Sequence, residues 1–140
     1  MTKRNILIIL IAFVFTSCDL LEEDATSAEW PSSINGCNIN IYIDNANGDS
    51  VEGIIRYTFS APNQEVRGTN PETGQTFTAD SYTYSTSGST AIINLSYSNG
   101  QAYENYVLEL KSDNGGDYNM SSATPTASGS SNGTFDFTCF

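Results

Sequence analysis

The sequence predicts an all-β domain, an antiparallel meander of seven or eight short strands that closes, or nearly closes, into a small barrel. Three observations lead to this fold class. Hydrophobic and polar residues alternate with a period of two through much of residues 34–140, and Asn-Gly pairs separate the alternating segments. No window shows the 3.6-residue period of an amphipathic helix.

Five segments show the alternation most clearly, and each has one apolar face. This pattern is typical of half-buried antiparallel strands, whose side chains point alternately to the core and to solvent. The residues predicted to face the core are Ile39, Ile41 and Ile43; Val51, Ile55, Tyr57 and Phe59; Ala91, Ile93, Leu95 and Tyr97; Tyr106, Leu108 and Leu110; and Phe135, Phe137 and Cys139. Polar residues between them, such as Arg56 and Asn94, are predicted to face solvent.

Asn-Gly pairs predict where the hairpins turn, because a two-residue hairpin turn needs positive φ at both central positions. The pairs are Asn47-Gly48, Asn99-Gly100, Asn114-Gly115 and Asn132-Gly133. Around Asn99-Gly100 the segments on both sides are strongly patterned, which predicts a hairpin there. Residues 122–133 (SATPTASGSSNG) are low in complexity and predict a mobile loop before the last strand.

The first residues have the composition of a secretory signal peptide. Lys3 and Arg4 precede ten apolar residues at 6–15, and the small pair Thr16-Ser17 precedes Cys18. Ten residues rise about 15 Å as a helix, which is about half of the hydrocarbon core of a bilayer. A permanent membrane span is therefore not expected.

The small pair followed by cysteine resembles the lipobox of bacterial lipoproteins, and Phe15 resembles the version common in Bacteroidota. The resemblance implies cleavage after residue 17, lipidation of Cys18 and anchoring to a membrane through the lipid. The alternative is an ordinary secretory signal whose cysteine carries no lipid or joins a disulfide.

An acidic run follows Cys18 and predicts a solvated, extended tether over residues 18–33, because charges at this density are not buried without partners. The run resembles the export signals that send some Bacteroidota lipoproteins to the outer face of the outer membrane. The residues that would carry this signal are Asp19, Glu22, Glu23 and Asp24. A polar spacer without a sorting role is the alternative. The chain thus divides into a signal peptide (1–17), a tether (18–33) and a single β domain (34–140).

Two cysteines remain once Cys18 is assigned to lipid, and a disulfide between Cys37 and Cys139 is expected in an oxidising compartment. Cys37 shares a predicted face with Ile39, and Cys139 shares one with Phe137, so both are predicted to point inward. The bond would place the first and last strands side by side, or across one core. Adjacency favours a closed barrel, which also removes exposed strand edges.

The succession of strands and hairpins over residues 51–138 resembles that of small calycin-like (lipocalin-type) barrels. This resemblance implies the same closed meander. An immunoglobulin-like β-sandwich is the alternative fold, although the inner tryptophan expected between its two cysteines is missing.

The residue inventory argues against an enzyme and against a nucleic-acid partner. The chain has no histidine, so it cannot form an imidazole-assisted nucleophile or an imidazole metal site. Removing residues 1–17 leaves three basic residues against sixteen acidic ones, the opposite of what phosphate requires. A pair of carboxylates is the remaining catalytic option, but four acids lie on predicted outer faces, where carboxylates are ordinarily solvated: Asp44, Glu52, Glu109 and Asp136.

No metal or cofactor is predicted. Residues 44–50 and 112–117 gather oxygen ligands that could suit calcium, but hairpin turns require the same Asn, Asp and Gly residues. Tyrosine is the remaining excess, with eight in the chain, and those on strand-like segments either line a cavity or are ordinary strand residues. Tyr42 and Tyr103 lie on predicted outer faces and are candidates for contact with a ligand or partner.

These features predict a lipid-anchored module of the outer membrane, exposed at the cell surface, that binds an unidentified protein, glycan or small molecule. Such a function needs only an anchor, a tether and a rigid scaffold with variable loops. A structural subunit of an envelope assembly, with a protein partner and no small ligand, is the alternative. An open cavity lined by tyrosines would favour the first reading, and a filled core would favour the second.

Overall fold

The computed structural model describes residues 28–48, 53–60 and 65–140. These residues form nine strands in one antiparallel sheet and contain no helix, so none of them forms a helix able to cross a membrane. The strands are β1 (Cys37–Gly48), β2 (Gly53–Ser60), β3 (Glu65–Thr69), β4 (Thr76–Ala79), β5 (Ser81–Ser87), β6 (Thr90–Tyr97), β7 (Ala102–Ser112), β8 (Gly115–Ala123) and β9 (Ser128–Cys139).

The sheet curls into a nearly closed barrel. Strands that follow one another in the chain are neighbours in the sheet, except at β4 and β5, and β1 pairs with β9 along its length. Only Asp80 separates β4 from β5 in the chain. β4 pairs with β3 at one edge of the sheet, and β5 pairs with β6 at the other edge. The Asp80 backbone N–H donates to the Ser96 carbonyl at 2.8 Å. The predicted small barrel is confirmed, and the two-sheet sandwich is not observed.

The described residues of the five patterned segments lie mostly in strands, and their predicted inward residues are mostly buried. The described residues form nine strands rather than seven or eight because Asp80 divides one stretch into β4 and β5. Alternation thus placed the core faces correctly wherever a strand had a continuous apolar side.

The turn predictions at Asn99-Gly100 and Asn114-Gly115 each need a correction of position. The hairpin at Asn99-Gly100 is confirmed, but its central residues are Ser98 and Asn99, both with positive φ, and the Gly100 N–H donates to the Tyr97 carbonyl at 3.1 Å. At the next hairpin the turn consists of Asp113 and Asn114, neither with positive φ, and Gly115 already belongs to β8.

The predicted loop over residues 122–133 is reduced to residues 124–127, and the turn predicted at Asn132-Gly133 is wrong. β8 continues to Ala123 and β9 begins at Ser128, because β9 is hydrogen-bonded on both sides, to β8 and to β1. That pairing holds small polar residues in a strand despite their low intrinsic preference for it. Glycine suits position 133 because a Cβ there would lie 2.0 Å from the Tyr42 carbonyl oxygen, beside the β1 bulge.

Residues 28–36, which precede β1, close one end of the barrel. We call this end of the barrel the closed end. Trp30 is 7% exposed, and its ring stacks on Phe135 and Phe137 with centroid distances of 5.4 and 5.0 Å. Its indole N–H donates to the Ser89 carbonyl at 2.8 Å, and Ile34 is fully buried nearby in the same core. The folded part therefore begins before residue 34, within the stretch predicted as tether, because Trp30 buries a large apolar surface.

The predicted disulfide is present. Cys37 lies directly opposite Cys139 in the β1–β9 pairing, and the two are bonded. Cys37 is buried as predicted, whereas Cys139 is exposed, because it lies at the last residue of β9 beside the closed end. The bond thus links the strands whose pairing closes the meander.

Candidate functional site

The end of the barrel opposite the closed end is open and forms a cavity of about 380 Å³, which we call the mouth. Three turns surround it, at residues 70–75, 98–101 and 124–127. The residues that line the mouth are Ile55, Gln75, Phe77, Tyr97, Ala102, Tyr103, Glu104, Ser122, Ala123, Thr124, Ala127 and Ser128. The lining is thus mainly aromatic and small apolar, with hydroxyl groups on the β8–β9 side and one carboxylate.

The aromatic wall of the mouth depends on a glycine in β3. Phe77 lies opposite Gly68 in the β3–β4 pairing, and a Cβ at Gly68 would lie 2.1 Å from the Phe77 ring. The absent side chain leaves room for the ring to cross the β3 backbone. Phe77 then contacts Tyr57 edge-on at a centroid distance of 5.9 Å and Tyr97 at 6.2 Å.

The carboxylate of Glu104 lies at the floor of the mouth. Glu104 is on the inward face of β7, two residues before the buried Tyr106, and is half-buried. Its Oε2 accepts hydrogen bonds from the hydroxyls of Tyr57 and Tyr97, both at 2.8 Å. Two donors on one carboxylate oxygen form charge-assisted hydrogen bonds, which fix the orientation of the side chain.

A third tyrosine continues this network below the mouth. The hydroxyls of Tyr57 and Tyr106 are 2.8 Å apart, and both residues are buried. Because a phenol has one proton and Tyr57 donates its own to Glu104, Tyr106 must be the donor to Tyr57. The protons therefore all point toward Glu104, from Tyr106 through Tyr57 and from Tyr97.

The three phenols of this network stay protonated. Burial raises the pKa of Tyr57 and of Tyr106 well above the ordinary value of 10.0, and the charge of Glu104 nearby adds to the effect. Burial, followed by the charge of Glu104, also raises the pKa of Tyr97. The network therefore supplies hydrogen-bond donors, and no phenolate, at any pH near neutrality.

No cation faces Glu104 from the described part of the chain. The one ion pair among those residues joins Lys111 to Glu109 on the outer face of β7, at 2.8 Å. Arg56 donates from Nε to Asn40 on the outer face at 2.8 Å, and Arg67 is exposed on β3. Within the same described ranges, Glu104 Oε1 accepts no hydrogen bond from protein.

The two tyrosines predicted as contact residues lie apart. Tyr103 is 51% exposed on the outer face of β7, as predicted, and the residue lies at the edge of the mouth. Tyr42 is on the outer face of β1, where its hydroxyl donates to Asp136 Oδ2 at 2.6 Å, while Asn40 Nδ2 donates to Asp136 Oδ1 at 2.6 Å. The Tyr42 hydroxyl is thus occupied in a polar network across β1 and β9.

Several predicted residues lie outside the described residues. These are the lipidation site Cys18, the export-signal residues Asp19, Glu22, Glu23 and Asp24, and the outer-face acid Glu52. The other acids predicted to face outward do so: Asp44 and Glu109 are exposed, and Asp136 is half-buried in the network with Tyr42.

Sequence reasoning missed Glu104, although a signal was present. Tyr106, Leu108 and Leu110 define the inward face of β7, and Glu104 continues that alternation by one step. A carboxylate on the inward face of a patterned strand is unusual because a buried charge is costly. Its partners on β2 and β6 could not be read from local pattern.

No three Asp, Glu or Cys side chains in the described ranges lie close enough together to share a metal ion. Comparison of the chain with models of protein families, with characterised proteins and with solved structures finds no match.

Proposed function

We propose that this chain is a lipid-anchored module of the cell envelope that binds a small ligand at the mouth of its barrel. The observation that carries the proposal is the contrast between the two ends. One end is sealed by Trp30 and Ile34, and the other holds a cavity with an inward carboxylate that no described basic residue neutralises. Concave, mainly apolar sites with a few placed polar groups are the usual form of ligand pockets.

The size of the ligand follows from how far the cavity reaches. Beneath Glu104 the barrel is filled by buried side chains, among them Tyr57, Tyr106 and Tyr118. The cavity of about 380 Å³ lies near the lower end of the range for small-molecule sites, about 300–1,000 Å³. The proposed ligand is therefore a small molecule, or the terminal group of a larger one, held at the mouth rather than deep inside.

The anchor and the mouth lie on opposite sides in this proposal. The described chain enters the barrel at the closed end, where Ala28 and Trp30 pack against the core. A tether from lipidated Cys18 would lead to that end, so the mouth would face away from the membrane.

Metabolic labelling with a fatty-acid probe tests the anchor: Cys18→Ala should abolish the label and release the chain from membranes. Labelling that survives the substitution contradicts it.

The alternative, a structural subunit with a protein partner, is favoured by one observation. Ile92 and Val107 are opposite each other in the β6–β7 pairing, and each is 38% exposed on the outer face. Two side chains are few for a stable interface, which typically buries about 800 Å² on each partner. The ligand-binding proposal therefore has the stronger support.

Blocking the mouth tests the proposal. Ala102 lines the cavity from the first residue of β7, and Ala102→Phe should fill it. Wild-type and variant chains would be purified from the same host and their retained small molecules compared by native mass spectrometry. Val107→Phe, on the outer face of the same strand, is the matched control. Identical retained molecules in Ala102→Phe and wild type would contradict ligand binding at the mouth.

A further inference from the structure

Glu104 brings a negative charge into the mouth, and no basic residue in the described part of the chain pairs with it. Two tyrosine donors hold Oε2, whereas Oε1 has no hydrogen-bond donor among the described residues. Partial burial of a charge is costly unless a group of opposite charge pairs with it. A group that arrives with a ligand can supply that partner.

The surrounding rings suit a positive group as well. Phe77 and Tyr97 line the same cavity as Glu104. Aromatic faces attract cations through their quadrupole, and ammonium groups are the ligands for which such sites are best known. Ring and carboxylate interactions add where water is partly excluded, because both strengthen as the local dielectric falls.

The charge of the whole chain points in the same direction. Its formal net charge is −11 at pH 7, and none of the described residues that line the mouth is basic. Such a field raises the local concentration of cations and repels anions such as phosphates and carboxylates. A free metal ion is a poor fit, because Ca²⁺ takes six to eight oxygen ligands and Mg²⁺ about six, and the described lining of the mouth includes a single carboxylate.

We infer that the ligand of the mouth is a small organic cation, a protonated amine or a quaternary ammonium, whose charged group pairs with Glu104 and whose apolar part packs on the aromatic wall. This inference rests on the proposed function and names the class of its ligand. Tyr57 and Tyr97 act as positioning residues that hold the carboxylate toward the cavity.

A charge series on the wild-type chain tests the inference directly. The full-length protein in non-ionic detergent would be titrated calorimetrically with 2-phenylethylammonium, 2-phenylethanol and phenylacetate, which share a shape and differ in charge. The ammonium should bind at least about tenfold more tightly than the alcohol, a difference of about 1.4 kcal/mol, and phenylacetate should not bind. The Ala102→Phe variant in the same detergent corrects for partition of the probes into micelles.

Glu104→Gln tests the residue, because it removes the charge and keeps the shape. It should lower ammonium affinity at least about tenfold and leave alcohol affinity unchanged. Glu109→Gln, on the outer face of the same strand, is the matched control and should change neither. If Glu104→Gln does not fold, the charge series on the wild-type chain still tests whether the ligand is a cation.

Two results would overturn the inference. One is equal affinity for the ammonium and the alcohol in the wild-type chain, and the other is no ammonium binding at millimolar concentration. If the alcohol binds as tightly as the ammonium and Ala102→Phe blocks both, the class of ligand is wrong while binding at the mouth stands. If Ala102→Phe also retains every ligand of the wild type, the proposed function fails as well.

Discussion

The hydroxyl of Tyr57 and the carboxylate of Glu104 form a 2.8 Å hydrogen bond across the interior of the barrel. Tyr57 is on β2 and Glu104 on β7, four strands apart in the order of the sheet. The bond therefore joins opposite walls directly beneath the mouth. It connects the buried phenols of the core to the carboxylate that faces the ligand, so the stability of the upper barrel and the geometry of the site depend on the same atoms.

Removal of the Tyr57 hydroxyl should destabilise the barrel. In Tyr57→Phe, Glu104 loses one donor and the buried Tyr106 hydroxyl loses its acceptor, and an unsatisfied buried group costs about 1–3 kcal/mol. Chemical denaturation monitored by circular dichroism would measure the change. Tyr42→Phe, which removes a hydroxyl on the outer face, should cost about 1 kcal/mol or less. Equal stability of Tyr57→Phe and wild type would show that the network is not coupled as described.

The interior tyrosines should make the fold sensitive to alkali. Burial raises the folded-state pKa of Tyr57, Tyr106 and Tyr97 above the ordinary value of 10.0, so the unfolded chain releases their protons at lower pH than the folded chain does. Their contribution to stability is complete below about pH 10 and is lost as the pH rises above it. The free energy of unfolding should therefore be flat from pH 7 to 9 and fall beyond 10.

The alkaline loss can be assigned to these residues. The double variant Tyr57→Phe/Tyr106→Phe should show a shallower fall above pH 10 than wild type, because two of the ionisable groups are gone. Tyrosinate absorbance at 295 nm would follow their ionisation, which should coincide with unfolding in the wild type. Ionisation of all tyrosines while the barrel stays folded contradicts the burial of this network.

A methyl group at Gly68 should disturb the mouth from outside it. The Cβ of Gly68→Ala would lie 2.1 Å from the Phe77 ring, so the ring must move. Gly68 does not have the positive φ that favours glycine, and the clash alone should cost about 1–3 kcal/mol. Thermal unfolding would measure the loss. In a Phe77→Ala background, Gly68→Ala should cause little further loss of stability, because the ring that it displaces is gone. An equal loss in that background would show that the clash with Phe77 is not the cause.

The sequence predicted those strands that have one apolar face. It did not predict the segments that are held in place by pairing with neighbouring strands or by contacts with distant residues. The first half of β9, Ser128 to Gly133, has low strand preference and is held by β1 and β8 on either side. Trp30 precedes the patterned region, and its burial depends on Phe135 and Phe137, more than a hundred residues later. Glu104 continues the inward alternation of β7 but was not predicted as a site residue, and its hydrogen-bond partners come from distant strands. In each of these cases the contact joins residues that are far apart in the chain, and local sequence pattern carries no information about such contacts.

The bond between Cys37 and Cys139 should contribute a large share of the stability. It closes a loop with a sequence separation of 102, and the chain-entropy account gives about 4–5 kcal/mol for a loop of this length. A whole domain typically has about 5–15 kcal/mol. Because the two cysteines are directly opposite in the β1–β9 pairing, reduction also frees the strands that complete the barrel.

Either cysteine alone should be as costly to lose as both. Cys37→Ala, Cys139→Ala and the double variant remove the same cross-link, so their melting temperatures should agree, with a small further loss for the buried Cys37. Reductant should lower the melting temperature of wild type and leave the three variants unchanged. In a Cys18→Ala background, thiol titration of the oxidised protein should find no free thiol. Two titratable thiols, or a melting temperature that reductant does not alter, would refute the role of this bond in holding the barrel closed.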